Sequence, residues 1–227
     1  MAEPQVWRQY RPLRKDEFIV VFGDCSQGGL DSNYCQFMSH TSLDFPLVYQ
    51  KRGVANMMTQ DVFPVLEKIY DFTGVPPVVA FERNNGGSSE MQRLFDLNVK
   101  NKYRIFIMPK WGTVNAGSQE TELLGWSTDR ATRPKMLGEW KSVFEKHLFK
   151  IYDEETIKQH KAFIVKNSKP QASAHHHDDA VISIAGAYQL FQLCKPEVSN
   201  AIGAVGNTPK PDWADNLPSW NEKWSKR

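Results

Sequence analysis

The hydrophobic positions begin as short β-type runs separated by polar turns and later alternate with helical patterns. Residues 17–23 (EFIVVFG) form an apolar, β-branched run that stops at Asp24, the pattern of a buried strand. CSQGGLDSN then reads as a turn, and YCQFMSH and FPLVYQK read as two further strands, so the chain opens as a meander. Over 56–73, Met58, Val62, Val65, Leu66 and Ile69 recur at helical spacing, with Pro64 inside the run and Gly74 placed to end it. PPVVAFE (76–82) predicts a second buried strand, this one ending on Glu82. NNGGSSEMQRLFDL turns into a short helix, and YRIFIM (103–108) predicts a strand.

Residues 109–130 are rich in Gly, Thr, Asn and Ser and predict a hairpin or excursion. A helix is expected from about Pro134 to Leu148, and another from the acids Asp153, Glu154 and Glu155 to Ala162. FIV predicts a short strand, NSKPQASAHHH a loop, and AVISIAGAYQLFQL a strongly apolar helix that opens just after Asp178 and Asp179. Periodicity is lost from about residue 196, where Pro196, Pro209, Pro211 and Pro218 mingle with Trp213, Trp220 and Trp224. That tail either packs its tryptophans back onto the domain or docks them on a partner. The whole reads as an α/β domain with a mixed sheet, spanning 17–195, with an N-terminal extension (1–16) and an irregular C-terminal tail (196–227).

Composition narrows the classes. Hydrophobic residues at 41% and aromatics at 12% suffice for a packed core. The 28 Lys+Arg stand against 26 Asp+Glu, a net charge of +2, which excludes a globally basic, histone-like binder and leaves room for a local basic groove. Cys25, Cys35 and Cys194 show no CxxC spacing, so they read as small buried hydrophobes rather than a disulfide framework or a zinc knot. No apolar run approaches the roughly 18–20 residues that span a bilayer, and the polar N-terminus lacks the core of a signal peptide. A soluble protein of a reducing compartment is expected.

The candidate chemistry lies where acids meet element ends. Asp24 follows one buried strand, Glu82 ends a second, and Asp178 and Asp179 open a buried helix. Carboxylates at strand C-termini and a helix start can converge on one edge of an α/β sheet. Held together they repel unless a cation lies between them, and hard oxygen ligands select Mg²⁺ or Mn²⁺. Two such ions would suit in-line displacement at a phosphodiester. Singly, each acid also fits a plainer role, Asp24 as a turn former and Asp178 or Asp179 as a helix N-cap.

Four blocks taken in order, DCSQGGLDSN (24–33), VVAFERNNGG (78–87), GWSTDRATRPKML (125–137) and HHHDDAVISIAGA (175–187), resemble the nuclease domain of tailed-bacteriophage terminase large subunits. The blocks span roughly 18–192. The resemblance implies an RNase H-like fold, shared with Holliday-junction resolvases, and cleavage of concatemeric double-stranded DNA during viral genome packaging. It implies that Asp24 bridges two metal ions, that Glu82 holds one, and that Asp178 and Asp179 occupy the family's Asp-Asp position. Sequence does not choose between the last two, since helical neighbours differ by about 100° around the axis. His177 could support them or serve as a surface histidine. The implied partners are double-stranded DNA, the ATPase domain, the small terminase subunit and the portal protein, in the cytoplasm of the infected host. No G-x-x-x-x-G-K-[ST] loop occurs, so the motor is expected elsewhere than in these 227 residues.

Phosphate contacts are expected from Lys100, Lys102, Arg104 and Lys110, and from Arg130, Arg133 and Lys135, although either cluster could be a solvated face. Two rivals remain at this level. One is a junction resolvase of the same fold. The other is a non-catalytic docking module for the portal.

Overall fold

The computed structural model describes residues 6–108, 123–166, 169–173 and 177–196. In chain order the elements are β1 (Trp7–Gln9), β2 (Ile19–Asp24), β3 (Gln27–Ser39), β4 (Asp44–Val54), α1 (Asn56–Thr73), β5 (Val78–Phe81), α2 (Gly87–Leu97), β6 (Arg104–Ile105), β7 (Ile107–Met108), β8 (Leu123–Leu124), α3 (Thr132–Glu145), α4 (Glu154–Ala162), β9 (Phe163–Lys166), β10 (Lys169–Ala172) and α5 (Asp179–Leu193). Six of the described strands form one mixed sheet in the order β1-β4-β3-β2-β5-β6. β2, β3, β4 and β1 pair antiparallel, whereas β5 runs parallel to β2, and β6 parallel to β5.

β2 is a continuous apolar run because both of its faces are covered. Val20 and Phe22 belong to the core shared with Met136, Trp140, Ile184 and Ala185 of α3 and α5. Ile19 and Val21 face the other core, with Met58, Val62 and Leu66 of α1 and Met91 and Leu94 of α2. α5 lies close on β2, since a Cβ at Gly186 would strike the Phe22 ring. α1 continues through the exposed Pro64 and ends at Gly74, whose φ of 78° is the left-handed cap expected of it. Cys25, Cys35 and Cys194 are buried, as small hydrophobes should be. No described helix is long and apolar enough to cross a membrane.

Three local expectations need correction. The stretch CSQGGLDSN is a turn only at Cys25 and Ser26, beyond which β3 already runs from Gln27, with its register against β4 shifted between Gln27 and Ser32. Gly28, at φ 100°, allows that irregularity. YRIFIM is not one strand. Arg104 and Ile105 pair with β5 in the main sheet, and Ile107 and Met108 then turn to β8. β6 is the last described strand of the sheet, and no described strand beyond it holds the chain in plane. Part of the expected loop NSKPQASAHHH is strand β10, which closes a hairpin on β9. Of the hairpin or excursion expected over 109–130, Leu123 and Leu124 pair with Met108 and Ile107, and 109–122 and the tail from 197 lie outside the described residues.

The residues ahead of Glu17 tie the sheet to α4. β1 adds an edge strand to β4, and the Nε of Arg8 donates to Asp153 at 2.5 Å. Asp153, buried to 1% exposure, caps α4 through the Thr156 N–H and also accepts from the hydroxyls of Tyr10, Tyr34 and Thr156. Burial pushes its carboxyl up, but the bonds from Arg8, Thr156, Tyr10 and Tyr34 outweigh that and hold it well below the usual carboxylate range.

Candidate metal centre

Parallel pairing sets the first two acids side by side. Gly23 of β2 is in register with Phe81 of β5, so Asp24 and Glu82 follow as the next pair at the C-terminal ends of adjacent strands, roughly 4.8 Å apart across the ladder. The Glu82 N–H donates to the Gly23 carbonyl at 2.7 Å, and Glu82 also bridges to Trp126. The two carboxyl groups lie close enough to repel when both are charged. Burial, then Glu82, Asp179 and Asp178, push the Asp24 carboxyl well above its ordinary range. Two carboxylates in such contact require a shared proton or a cation.

Local sequence builds the rest of this corner. Asn84 donates from Nδ2 to Glu82 Oε1 at 3.0 Å and to the Thr128 carbonyl at 3.3 Å. Gly86, at φ 92°, turns the chain into α2. A Cβ on the following Gly87 would overlap the Glu82 carbonyl, so only glycine lets α2 start this close to the acid. In the tight turn after Asp24, the Ser26 N–H donates to Asn33 Oδ1 at 2.9 Å, which ties the turn to β3.

α5 brings the other acids. Neither caps the helix with its own side chain; the Ala180 N–H is taken by Gln159 Oε1 at 2.8 Å. The two half-buried carboxylates diverge. Asp178 Oδ2 accepts from Arg133 at 2.7 Å, whereas Asp179 Oδ2 accepts from the Ser32 N–H at 3.2 Å. Asp179 also meets two groups on its far side. His177 Nδ1 lies 3.1 Å from Asp31 Oδ1, and donor atoms of Asp31, His177 and Asp179 all lie within 4.8 Å of one another. Burial is the largest cause pushing the Asp179 carboxyl up, to about 6, and Asp31 and Asp178 add to it, against the Ser32 N–H and His177.

Asp24, Asp31, Glu82, Asn84, Arg133, Asp178 and Asp179 line one cleft of about 470 Å³. The structure thus gathers all four acids singled out from sequence and adds Asp31 and Asn84. Both of these lie in the blocks that carry the family resemblance, but as lone polar residues they have no periodicity to mark them. The donor set suits a hard divalent cation. It offers oxygens from β2, β3, the end of β5 and the start of α5, with charges that repel without a cation.

The basic residues divide. Arg130 is exposed just ahead of α3, near the Thr128 carbonyl that Asn84 holds. Arg133 is in the cleft on Asp178, and Lys135 lies 3.8 Å from Glu139. Lys100, Lys102 and Arg104 belong to the opposite end of the sheet, because Arg104 is level with Val78 at the start of β5, four residues before Glu82. There Lys102 pairs with Asp71 at 2.8 Å, and Arg104 donates to the Lys195 carbonyl at 2.7 Å. Lys110 lies outside the described residues.

No protein-family model matches the chain, and no curated protein does. Solved structures do. The large terminase nuclease from thermophilic phage G20c with bound magnesium superposes with a TM-score of 0.56 at 14% identity, covering 83% of this chain and 89% of that one. This chain has the fold of a large terminase nuclease domain. The same G20c nuclease with bound cobalt gives 0.57, again at 14% identity over 83% and 89%, and the Thermus phage P74-26 large terminase nuclease domain gives 0.53 at 14% over 83% and 87%. What is shared at this identity is the terminase-nuclease framework, a mixed sheet flanked by helices. The chemistry of these side chains rests on the cleft itself.

Proposed function

We propose that the chain is a divalent-metal-dependent DNA endonuclease that cuts concatemeric double-stranded viral DNA during genome packaging. The observation that carries this reading is the meeting of Asp24, Glu82, Asp178 and Asp179 in one cleft on a terminase-nuclease framework. The bound magnesium and cobalt of the G20c structures support a divalent ion.

Asp24, whose carboxyl feels Glu82 as well as Asp178 and Asp179 of α5, would be shared by two ions, Mg²⁺ or Mn²⁺. Glu82 would hold one ion, and Asp179, with Asp31 and His177, the other. When bound, such ions supply an activated water and offset the charge on the leaving 3′-oxygen. The chain's own groups do the positioning. Asn84 fixes Glu82 Oε1, the Ser32 N–H orients Asp179, and Arg133 balances Asp178 and stands ready for a DNA phosphate. Arg130 and Lys135 flank the start of α3 and would take further phosphates. Packaging implies an ATPase motor, a small terminase subunit and a portal protein as partners.

The test is nicking and linearisation of plasmid DNA in Mn²⁺ or Mg²⁺. Asp24→Ala and Glu82→Ala abolish cutting while circular dichroism and melting stay those of a folded chain. Cutting by both variants at the wild-type rate refutes the assignment.

A further inference from the structure

A second groove, of about 550 Å³, opens beside the acidic cleft and shares Ser32 and Asp179 with it. Its walls follow from strand register. Ser32 of β3 pairs with Arg52 of β4, and Tyr34 pairs with Gln50, so Arg52 and Gln50 project from the same sheet face as Ser32 and Tyr34. The Cα atoms of Arg52 and Ser32 are therefore roughly 5 Å apart. Ser32 is the residue whose N–H holds Asp179. The opposite wall is α4, which contributes Glu155, Lys158 and Gln159.

The charges in this groove are not equivalent. Arg8 and Asp153 neutralise each other. Glu154 and Glu155 lie in the first turn of α4, where the helix dipole offsets part of their charge. Arg52 and Lys158 are exposed, and neither has an ion-pair partner among the described residues. The buried Oε1 of Gln50 also lacks a hydrogen-bond partner there. Tyr152, 37% exposed, stacks on Tyr10 with ring centroids 5.9 Å apart and adds an aromatic face to the same groove. Unpaired cations beside an exposed aromatic face, continuous with a cleft built for phosphodiester chemistry, form a surface for a nucleic-acid strand.

We propose that this groove carries one DNA strand away from the acidic cleft, with Arg52 and Lys158 against its phosphates. The proposal rests on the nuclease reading above and names residues outside both basic clusters visible in the sequence. The experiment measures binding of a fluorescent 30-base-pair duplex by anisotropy in Ca²⁺ across a salt series, and cutting of the same duplex in Mn²⁺. Each phosphate contact contributes about 0.9 to the slope of log K against log salt, so Arg52→Ala with Lys158→Ala lowers the slope by about 1.8. Affinity at low salt falls at least about tenfold. Lys68→Ala, on α1 across the sheet, leaves slope and affinity unchanged. Wild-type binding and cutting with an unaltered slope in the double variant overturns the strand path and leaves the nuclease reading standing. A wild-type chain that neither binds nor cuts the duplex overturns both.

Discussion

Replacing Gly87 by alanine tests how tightly the backbone fixes Glu82. Gly87 has an ordinary helical φ of −61°, so the substitution costs nothing in backbone conformation. It costs space. The new Cβ would overlap the Glu82 carbonyl and lie 3.2 Å from Cys25 Sγ. That carbonyl cannot simply move aside, because the Glu82 N–H is held by Gly23 at 2.7 Å and the next N–H, of Arg83, by the Trp126 carbonyl at 2.8 Å. Overpacking of this kind costs about 1–3 kcal/mol. At roughly 2–4 °C per kcal/mol for a chain of this size, the melting temperature falls by about 2–12 °C. The functional effect should be larger than the stability effect, since a misplacement of about 1 Å in a reacting constellation costs on the order of a hundredfold in rate. Gly86→Ala is the matched control. Its φ of 92° makes any L side chain strained by about 1–2 kcal/mol, yet the nearest atom to its Cβ is that of Ala55, not Glu82. Plasmid cutting in Mn²⁺ and thermal melting of both variants separate the two effects. Gly87→Ala should melt no lower than Gly86→Ala by more than a few degrees and still cut far more slowly. Equal cutting by the two variants would refute the claim that Gly87 positions the acid.

Two further perturbations address other contacts. Asn84→Ala removes the donor to Glu82 Oε1, and the expected result is about a tenfold drop in cutting with a higher Mn²⁺ requirement, read from metal titrations of the initial rate. Asp153→Ala leaves the Arg8 guanidinium without its buried partner and is expected to cost about 3–5 kcal/mol by urea unfolding; a loss below about 1 kcal/mol contradicts the network. The same group sets an acid limit. Its folded pKa is depressed, so its contribution is fully present above the unfolded value of about 3.9 and is lost as pH falls below it. The wild type should therefore lose more stability than Asp153→Ala between about pH 4 and pH 2.

The acids were legible in sequence for a physical reason. β2, β5 and α5 are covered on all sides, so each reads as a dense apolar run, and a charge at the end of such a run is conspicuous. The plainer role for Asp178 and Asp179 failed at one contact, the Gln159 side chain that caps α5 in their place. A glutamine on one helix capping another leaves no local trace. β1 and β10 were missed because WRQ and KPQA are too short and too polar to carry a period.

The basic residues show most clearly where linear reading stops. Lys100, Lys102 and Arg104 are neighbours in sequence, so they look like a patch. A parallel β5–β6 pair puts them at the end of the sheet away from Glu82, and two of them are already engaged there. Arg52 and Lys158 are far apart in sequence, on a strand and a helix, yet they line one groove. The register that sets Arg52 opposite Ser32 is a property of the β3–β4 pairing, and the placement of α4 over that face comes from the Asp153 network with Arg8, Tyr10 and Tyr34. Charge near a phosphate is set by topology rather than by spacing along the chain. A near-neutral chain can therefore hold DNA, provided its acids are drawn together around cations and its unpaired bases line the path beside them.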